Sequence, residues 1–182
     1  MAKLEICLAG SGGQGLILAG KILAEALALY GGKNTVQTQS YGPEARGGAS
    51  RSEIIVSDEE IDYPKVTKPD LLLALNQESI TRYLPNLKAG GTLVIDPFGV
   101  KEAPKGNFKV YSIDVTHLAK SELGKIIFGN IIALGAIAAI TNLIPRETLE
   151  KGVLKYVPEA TRDLNKKALE IGYRAGAEAL KQ

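Results

Sequence analysis

The chain has 182 residues, with 22 Lys plus Arg set against 20 Asp plus Glu for a net charge of +2. That length supports one domain with a substantial core, residues 1–182 as a single module, and is short for two. A nearly balanced charge gives no whole-surface attraction for nucleic acid or an anionic membrane, so any charge chemistry has to be local.

The single cysteine, Cys7, sits inside an apolar run. A lone cysteine excludes a disulfide framework, a CxxC zinc site and iron–sulfur ligation within the chain, and reads as a small core hydrophobe. Met1 to Lys3 lead straight into LEICLAG, too short a run and too soon ended by glycine for a secretory signal. The longest apolar stretch, IIALGAIAAI at 131–140, falls below the roughly 18 residues that span a bilayer. The expectation is a cytoplasmic protein.

In chain order, LEICLAG predicts a strand, a tight turn follows, and LILAGKILAEALALYGG has apolar residues at helical spacing with a Gly-Gly stop. NTVQTQSY alternates β-branched and polar residues and predicts a second strand. SEIIVSD (52–58) predicts a third, but only a glycine-rich loop of about ten residues precedes it. That leaves no room for a helical crossover, so the pair is expected to be antiparallel or joined by an irregular active loop. DLLLALN, QESITRYLPNL and GTLVIDP then repeat the order strand, helix, strand.

NFKVYSID predicts a strand nearer an edge, and THLAKSEL can start a helix. From Phe128 the pattern turns helical: FGNIIALGAIAAITNL, then a helix with Pro145 in its first turn, then PEATRDLNKKALEIGYRAGAEALK as one long amphipathic helix. The expected fold is α/β: a Rossmann-like mixed, mostly parallel sheet with flanking helices and a helical C-terminal third.

Two glycine clusters stand out. AGSGGQG at 9–15 places Gly10, Gly12 and Gly15 in G-x-G-x-x-G spacing between a strand and a helix. There Gly10 permits the turn, Gly12 and Gly13 let a phosphate reach backbone N–H groups, Gly15 lets helix and strand approach, and the helix N-terminus offers unpaired donors. A dinucleotide site also demands an Asp or Glu at the end of the second strand to hold a ribose hydroxyl. NTVQTQSY has none, which disfavours bound NAD; a structural turn and another kind of phosphate site both remain.

The second cluster, YGPEARGG at 41–48, combines the stiffness of Pro43, the freedom of Gly47 and Gly48, and the charge of Arg46, with Arg51 close behind. If that loop returns over the first cluster, Arg46 can meet a phosphate or carboxylate; otherwise Glu44 and Arg46 form an ordinary ion pair or subunit contact. There is no GxSxG elbow, no Walker lysine and no metal-spaced histidine pair. His117 reads as solvated or helix-capping, and Asp96 before Pro97 as a turn former. No catalytic constellation emerges.

Taken in order, GSGGQG, YGPEARGG, KPDLLLALN, GGTLVID, FGNIIALGA and NKKALEIGY resemble the gamma subunit of the 2-oxoacid:ferredoxin oxidoreductases over nearly the whole chain. The resemblance is strongest to the 2-oxoglutarate branch, with pyruvate and branched-chain or indolepyruvate branches close behind. It implies an enzyme that oxidatively decarboxylates a 2-oxoacid, joins the acyl group to coenzyme A and passes electrons to ferredoxin. Thiamine diphosphate would sit between alpha and beta chains, and iron–sulfur clusters on beta or a delta ferredoxin-like chain, with no cofactor held by this chain alone.

For this chain the resemblance implies assembly and a share in binding coenzyme A, a co-substrate that wants backbone donors and cations but no acidic ribose clamp. The residues it points to are Gly10, Ser11, Gly12, Gly13, Gln14 and Gly15 in the turn, Arg46, Gly47 and Gly48 in the loop, and Asn130 at the start of an apolar helix. Ala45 stands where the family often has a second arginine. Two alternatives stay open: a purely structural subunit that docks a partner through the apolar helix and its Gly135, and a free-standing NAD- or FAD-binding module.

Overall fold

The computed structural model describes residues 3–41 and 49–181. Six strands form one mixed sheet: β1 (Leu4–Ser11), β2 (Asn34–Tyr41), β3 (Ala49–Ser57), β4 (Leu71–Ala74), β5 (Thr92–Ile95) and β6 (Lys109–Ser112). Their spatial order is β2-β3-β1-β4-β5-β6. The pairs β1–β4, β4–β5 and β5–β6 are parallel, whereas β3 runs antiparallel to both of its neighbours. The expected α/β class and the antiparallel third strand are both present.

The antiparallel β3 explains the connections around it. Because it runs back to the amino end of the sheet, where β4 begins, a loop is enough to reach β4 and no crossover helix is needed. Helix α1 (Leu16–Leu29) follows β1 on one face, and α2 (Gln77–Tyr83), ending in a 3-10 turn, follows β4 on the other. Ile6 and Leu8 of β1 pack with α1, while Cys7 and Ala9 pack with Leu72, Leu93 and Ile80 on the α2 side. This is the two-residue alternation of a strand covered on both faces. Cys7 is buried there, and burial pushes its thiol up to about 12, so it is an unreactive core residue, as its apolar setting implies.

The C-terminal third is α3 (Val115–Leu123), α4 (Gly129–Thr141), α5 (Arg146–Tyr156) and α6 (Arg162–Ala179). Two boundaries differ from expectation. Pro145 precedes α5 as its cap, and residues Glu159–Thr161 form a separate 3-10 turn before α6. His117 is exposed in the first turn of α3, where its backbone N–H is capped by Asp114. No helix among the described residues is long and apolar enough to cross a membrane.

Helix α4 is buried from Gly129 to Ala138 and is apolar all round, the pattern of a central helix. Its partner is α6. A β-carbon at Gly135 would lie 2.5 Å from the Leu169 carbonyl oxygen, and one at Gly172 would collide with the Ile132 carbonyl. The two backbones therefore touch, and Gly135 serves this internal contact rather than docking another chain. Gly172→Ala is expected to lower stability by about 1–3 kcal/mol through overpacking, measurable as a drop in Tm of the purified chain.

At the amino end of β1, Glu5 ties the segment after β3 to the sheet. Its Oε2 accepts from the backbone N–H groups of Thr67 (2.8 Å) and Lys68 (3.0 Å), and Oε1 lies 3.0 Å from Lys3 Nζ. Burial by itself raises the Glu5 pKa, but the bonds from Lys3, Thr67 and Lys68 outweigh it and leave the net value lowered. A lowered carboxyl pKa adds stability that is complete above the unfolded value of about 4.3 and is lost as pH falls through the folded value. Glu5→Gln should therefore cost about 1.5–3 kcal/mol at pH 7. The gap from the parent should narrow below about pH 4 in urea titrations.

Candidate functional site

From β1 the chain winds to β2 and β3 on one side of the sheet, and from β4 to β5 and β6 on the other. The switch point falls between β1 and β4, and in an open α/β sheet the crevice at the carboxyl ends of such strands is where ligands bind. The first glycine cluster lies there. β1 runs through Gly10 to Ser11, Gly12 and Gly13 form an exposed turn, and Gly15 caps α1.

The turn is held by its own side chains. Ser11 N–H donates to Gln14 Oε1 at 2.6 Å, Gln14 N–H donates to the Ser11 carbonyl at 3.3 Å, and Asn76 Nδ2 donates to Ser11 Oγ at 2.8 Å. Gly10 has no room for a β-carbon, which would strike Gln14 and Leu16. Gly13 (φ 90°) and Gly15 (φ 72°) take left-handed backbone that other residues rarely adopt. A β-carbon at Gly13 would meet nothing within 4 Å, so that position faces open space. Gln14, expected to face a ligand, uses its side-chain carbonyl oxygen to hold the turn.

Asn130 is the long-range brace. It is buried at the start of α4, and its Nδ2 donates to the Gly15 carbonyl at 3.2 Å across 115 residues of sequence. A β-carbon at Gly15 would lie 2.6 Å from that Nδ2. The α1 N-terminus has no side-chain cap, and it begins just after the carboxyl end of β1, where a helix start offers backbone N–H groups and a partial positive charge. Gly10, Ser11, Gly12, Gly13, Gln14, Gly15 and Asn130 are thus gathered at one place.

Arg46, Gly47 and Gly48 lie outside the described residues. The strands that lead into and out of their loop do not. Ala49 pairs with Ser11 and so stands beside the glycine turn, while Tyr41 pairs with Ser50 on the far side of β3. Arg51, which sequence groups with Arg46, stands instead on β3. Its guanidinium is 3.5 Å from Glu53 and 5.1 Å from the centre of the Tyr83 ring, on the face that carries α2 and Cys7.

Sequence reasoning missed the rest of the crevice. A pocket of about 220 Å³ runs from Gly13 and Gln14 past Leu75, after β4, to Phe98, after β5, and Val115 and Thr116, after β6. Its rim is apolar: Phe98, Ile126 and Ile127 are 65%, 64% and 65% exposed. The one available signal was position, since Leu75 directly follows the apolar β4 and Phe98 stands three residues after the apolar β5. Asp96 borders this region but is buried, accepting from Phe98 N–H (3.0 Å) and from Thr116 N–H (3.2 Å) and Oγ1 (2.5 Å). It is the turn former expected. Burial pushes its pKa up, although those hydrogen bonds oppose the rise. Among the described residues no group of His, Cys, Asp and Glu is placed to hold a metal.

Fold and site together define an α/β module with a glycine turn at its switch point, but without the β2 of a dinucleotide fold. With β3 wedged in, the end of β2 is two strand spacings, about 10 Å, from β1. The chain belongs to the pyruvate ferredoxin/flavodoxin oxidoreductase family, whose model matches residues 5–175. It is 46% identical to the 2-oxoglutarate synthase subunit KorC of Methanocaldococcus jannaschii, over 97% of this chain and 95% of that one. It superposes with a TM-score of 0.91 and 46% identity on the keto/oxoacid ferredoxin oxidoreductase gamma subunit of Geobacter sulfurreducens, covering 98% and 99% of the two chains. A third match is the 2-oxoglutarate:ferredoxin oxidoreductase of Magnetococcus marinus, solved with 2-oxoglutarate, coenzyme A and succinyl-CoA bound. There the TM-score is 0.87 and the identity 26%, over 98% of this chain but 32% of that one.

Gly15→Ala should cost about 1–3 kcal/mol from left-handed backbone and the approach to Asn130. Asn130→Ala placed in the same chain removes the collision but not the strain, so denaturation of the pair should show only part of the loss recovered.

Proposed function

We propose that the chain is the gamma subunit of a 2-oxoglutarate:ferredoxin oxidoreductase, folded as one module over residues 1–182. Its part in the reaction is to hold the phosphates of coenzyme A between the glycine turn and Arg46. The observation that supports this reading is the pairing of Ala49, three positions after Arg46 in the chain, with Ser11 beside the uncapped N-terminus of α1. Two residues, Gly47 and Gly48, separate Arg46 from Ala49, and the three steps reach at most about 11 Å.

The residues suit such a ligand. Backbone N–H groups of the turn and the first turn of α1 would donate to phosphate oxygens, the open side of Gly13 would let them approach, and Arg46 would add a charge-assisted pair. Ser11, Gln14 and Asn130 would keep the turn in shape. Coenzyme A supplies the thiol that accepts the acyl group. Thiamine diphosphate and the iron–sulfur clusters belong, on this reading, to alpha and beta partners, with or without a delta ferredoxin-like chain, and ferredoxin accepts the electrons. A stand-alone NAD or FAD module is disfavoured by the missing acidic residue and by the β3 wedge.

In the complex purified with its partner chains, Arg46→Ala should raise the KM for coenzyme A about tenfold to a hundredfold while leaving the KM for 2-oxoglutarate unchanged. That range is the loss of one charged hydrogen bond, about 1.5–3 kcal/mol. Dissociation of the complex instead would assign the Arg46 loop to a subunit contact.

A further inference from the structure

We propose that the cavity at the amino ends of the parallel strands binds a small amphipathic carboxylate, an organic acid with an apolar body. The site lies at the opposite end of the sheet from the glycine turn. Leu4, which lines it, begins β1, and Ser11 ends that strand seven residues on, about 23 Å away. The cavity holds about 390 Å³, within the roughly 300–1,000 Å³ of small-molecule sites. It forms where the last turn of α4 meets the starts of β4, β5 and β6.

The lining selects the ligand. Leu4, Leu71, Ile140 and Leu143 make an apolar wall that is held by the main core, since Leu71 belongs to that core and the other three pack against it. That wall takes the body of the acid. Of the charged residues around the cavity among those described, two are lysines, Lys88 and Lys109, and one is Asp70. Both oxygens of Asp70 are engaged within the fold: Oδ2 accepts from Glu5 N–H at 2.8 Å, and Oδ1 accepts from Lys88 Nζ at 2.7 Å. Lys109 then leaves the cavity with a surplus positive charge, which attracts an anion and repels an ammonium group.

Lys109 and Tyr111 stand two residues apart on β6 and share one face of the sheet, so an ammonium and a phenol can meet one carboxylate together. The end of a helix would ordinarily oppose an anion through its unpaired carbonyls. At α4 two of these are occupied. Asn142, with left-handed φ 51°, donates its N–H to the Ala138 carbonyl at 2.9 Å, and Thr141 Oγ1 donates to the Ile137 carbonyl at 2.7 Å. Gly90 opens the strand side of the cavity, since at φ 77° a β-carbon there would meet nothing within 4 Å.

The probe is octanoate, titrated into the purified chain by ligand-observed NMR beside two controls: octanamide, which keeps the body and loses the charge, and inorganic phosphate, which is charge without a body. Octanoate should bind saturably with a Kd of about 1–10 mM, the affinity of several buried methylenes and one exposed ion pair. Octanamide should bind about twofold to fivefold more weakly, and phosphate at least about tenfold more weakly. Lys109 is exposed, so its variants should keep the Tm of the parent. Lys109→Gln should weaken octanoate about twofold to fivefold and leave octanamide unchanged, and Lys109→Glu should weaken octanoate further. Octanoate that does not saturate by about 50 mM, equal binding of acid and amide, or indifference to both Lys109 variants would overturn the proposal. So would displacement of octanoate by coenzyme A, which would move it to the crevice at the glycine turn.

Discussion

The antiparallel strand β3, wedged between β1 and β2, is the constraint on which the rest of the molecule depends. It returns the chain to the amino end of the sheet, so a loop tied down by Glu5 can lead into β4 where a crossover helix would otherwise be required. It moves β2 to an edge, away from any ligand on the glycine turn. It also sets Ala49 opposite Ser11, at the mouth of the crevice. Because successive residues of β3 face opposite sides of the sheet, a slip of one residue would turn Ile54 and Val56 away from the face that packs on α1.

The helical third supports the same end of the sheet. Helix α4 is locked to α6 by backbone contact at Gly135 and Gly172, and its first buried turn carries Asn130 to the Gly15 carbonyl. The rigid core thus positions the start of α1 from the far end of the sequence. The crevice is built on strand ends and helix starts rather than on mobile side chains, which suits a site that has to present backbone donors in fixed directions.

Much of the fold was legible because it is written in local patterns. The apolar runs of β1, β4 and β5, the period of α1, and the shortage of residues between β2 and β3 each depend on neighbours a few positions apart. The glycine turn was legible for the same reason, since G-x-G-x-x-G between strand and helix is a local geometry. Other features were not. Gln14 also holds the turn through its side-chain oxygen, Arg51 looked like a companion of Arg46 and belongs to Glu53 and Tyr83, and Gly135 looked available and is covered by α6. Each of those outcomes is set by a contact partner that no spacing in the chain reveals.

By itself the sequence determined the class of the sheet, the glycine turn with its helix, the absence of an acidic clamp after NTVQTQSY, and, through its ordered motifs, the oxidoreductase family. Only the tertiary structure decided that the turn lies at the switch point, that Asn130 braces it, and that Leu75, Phe98, Val115, Thr116, Ile126 and Ile127 share one pocket beside it. The physical reason is the range of the interactions. Turns and strands follow from steric and hydrophobic preferences over a few residues, whereas a crevice is made where strand order and helix packing bring distant segments to one edge.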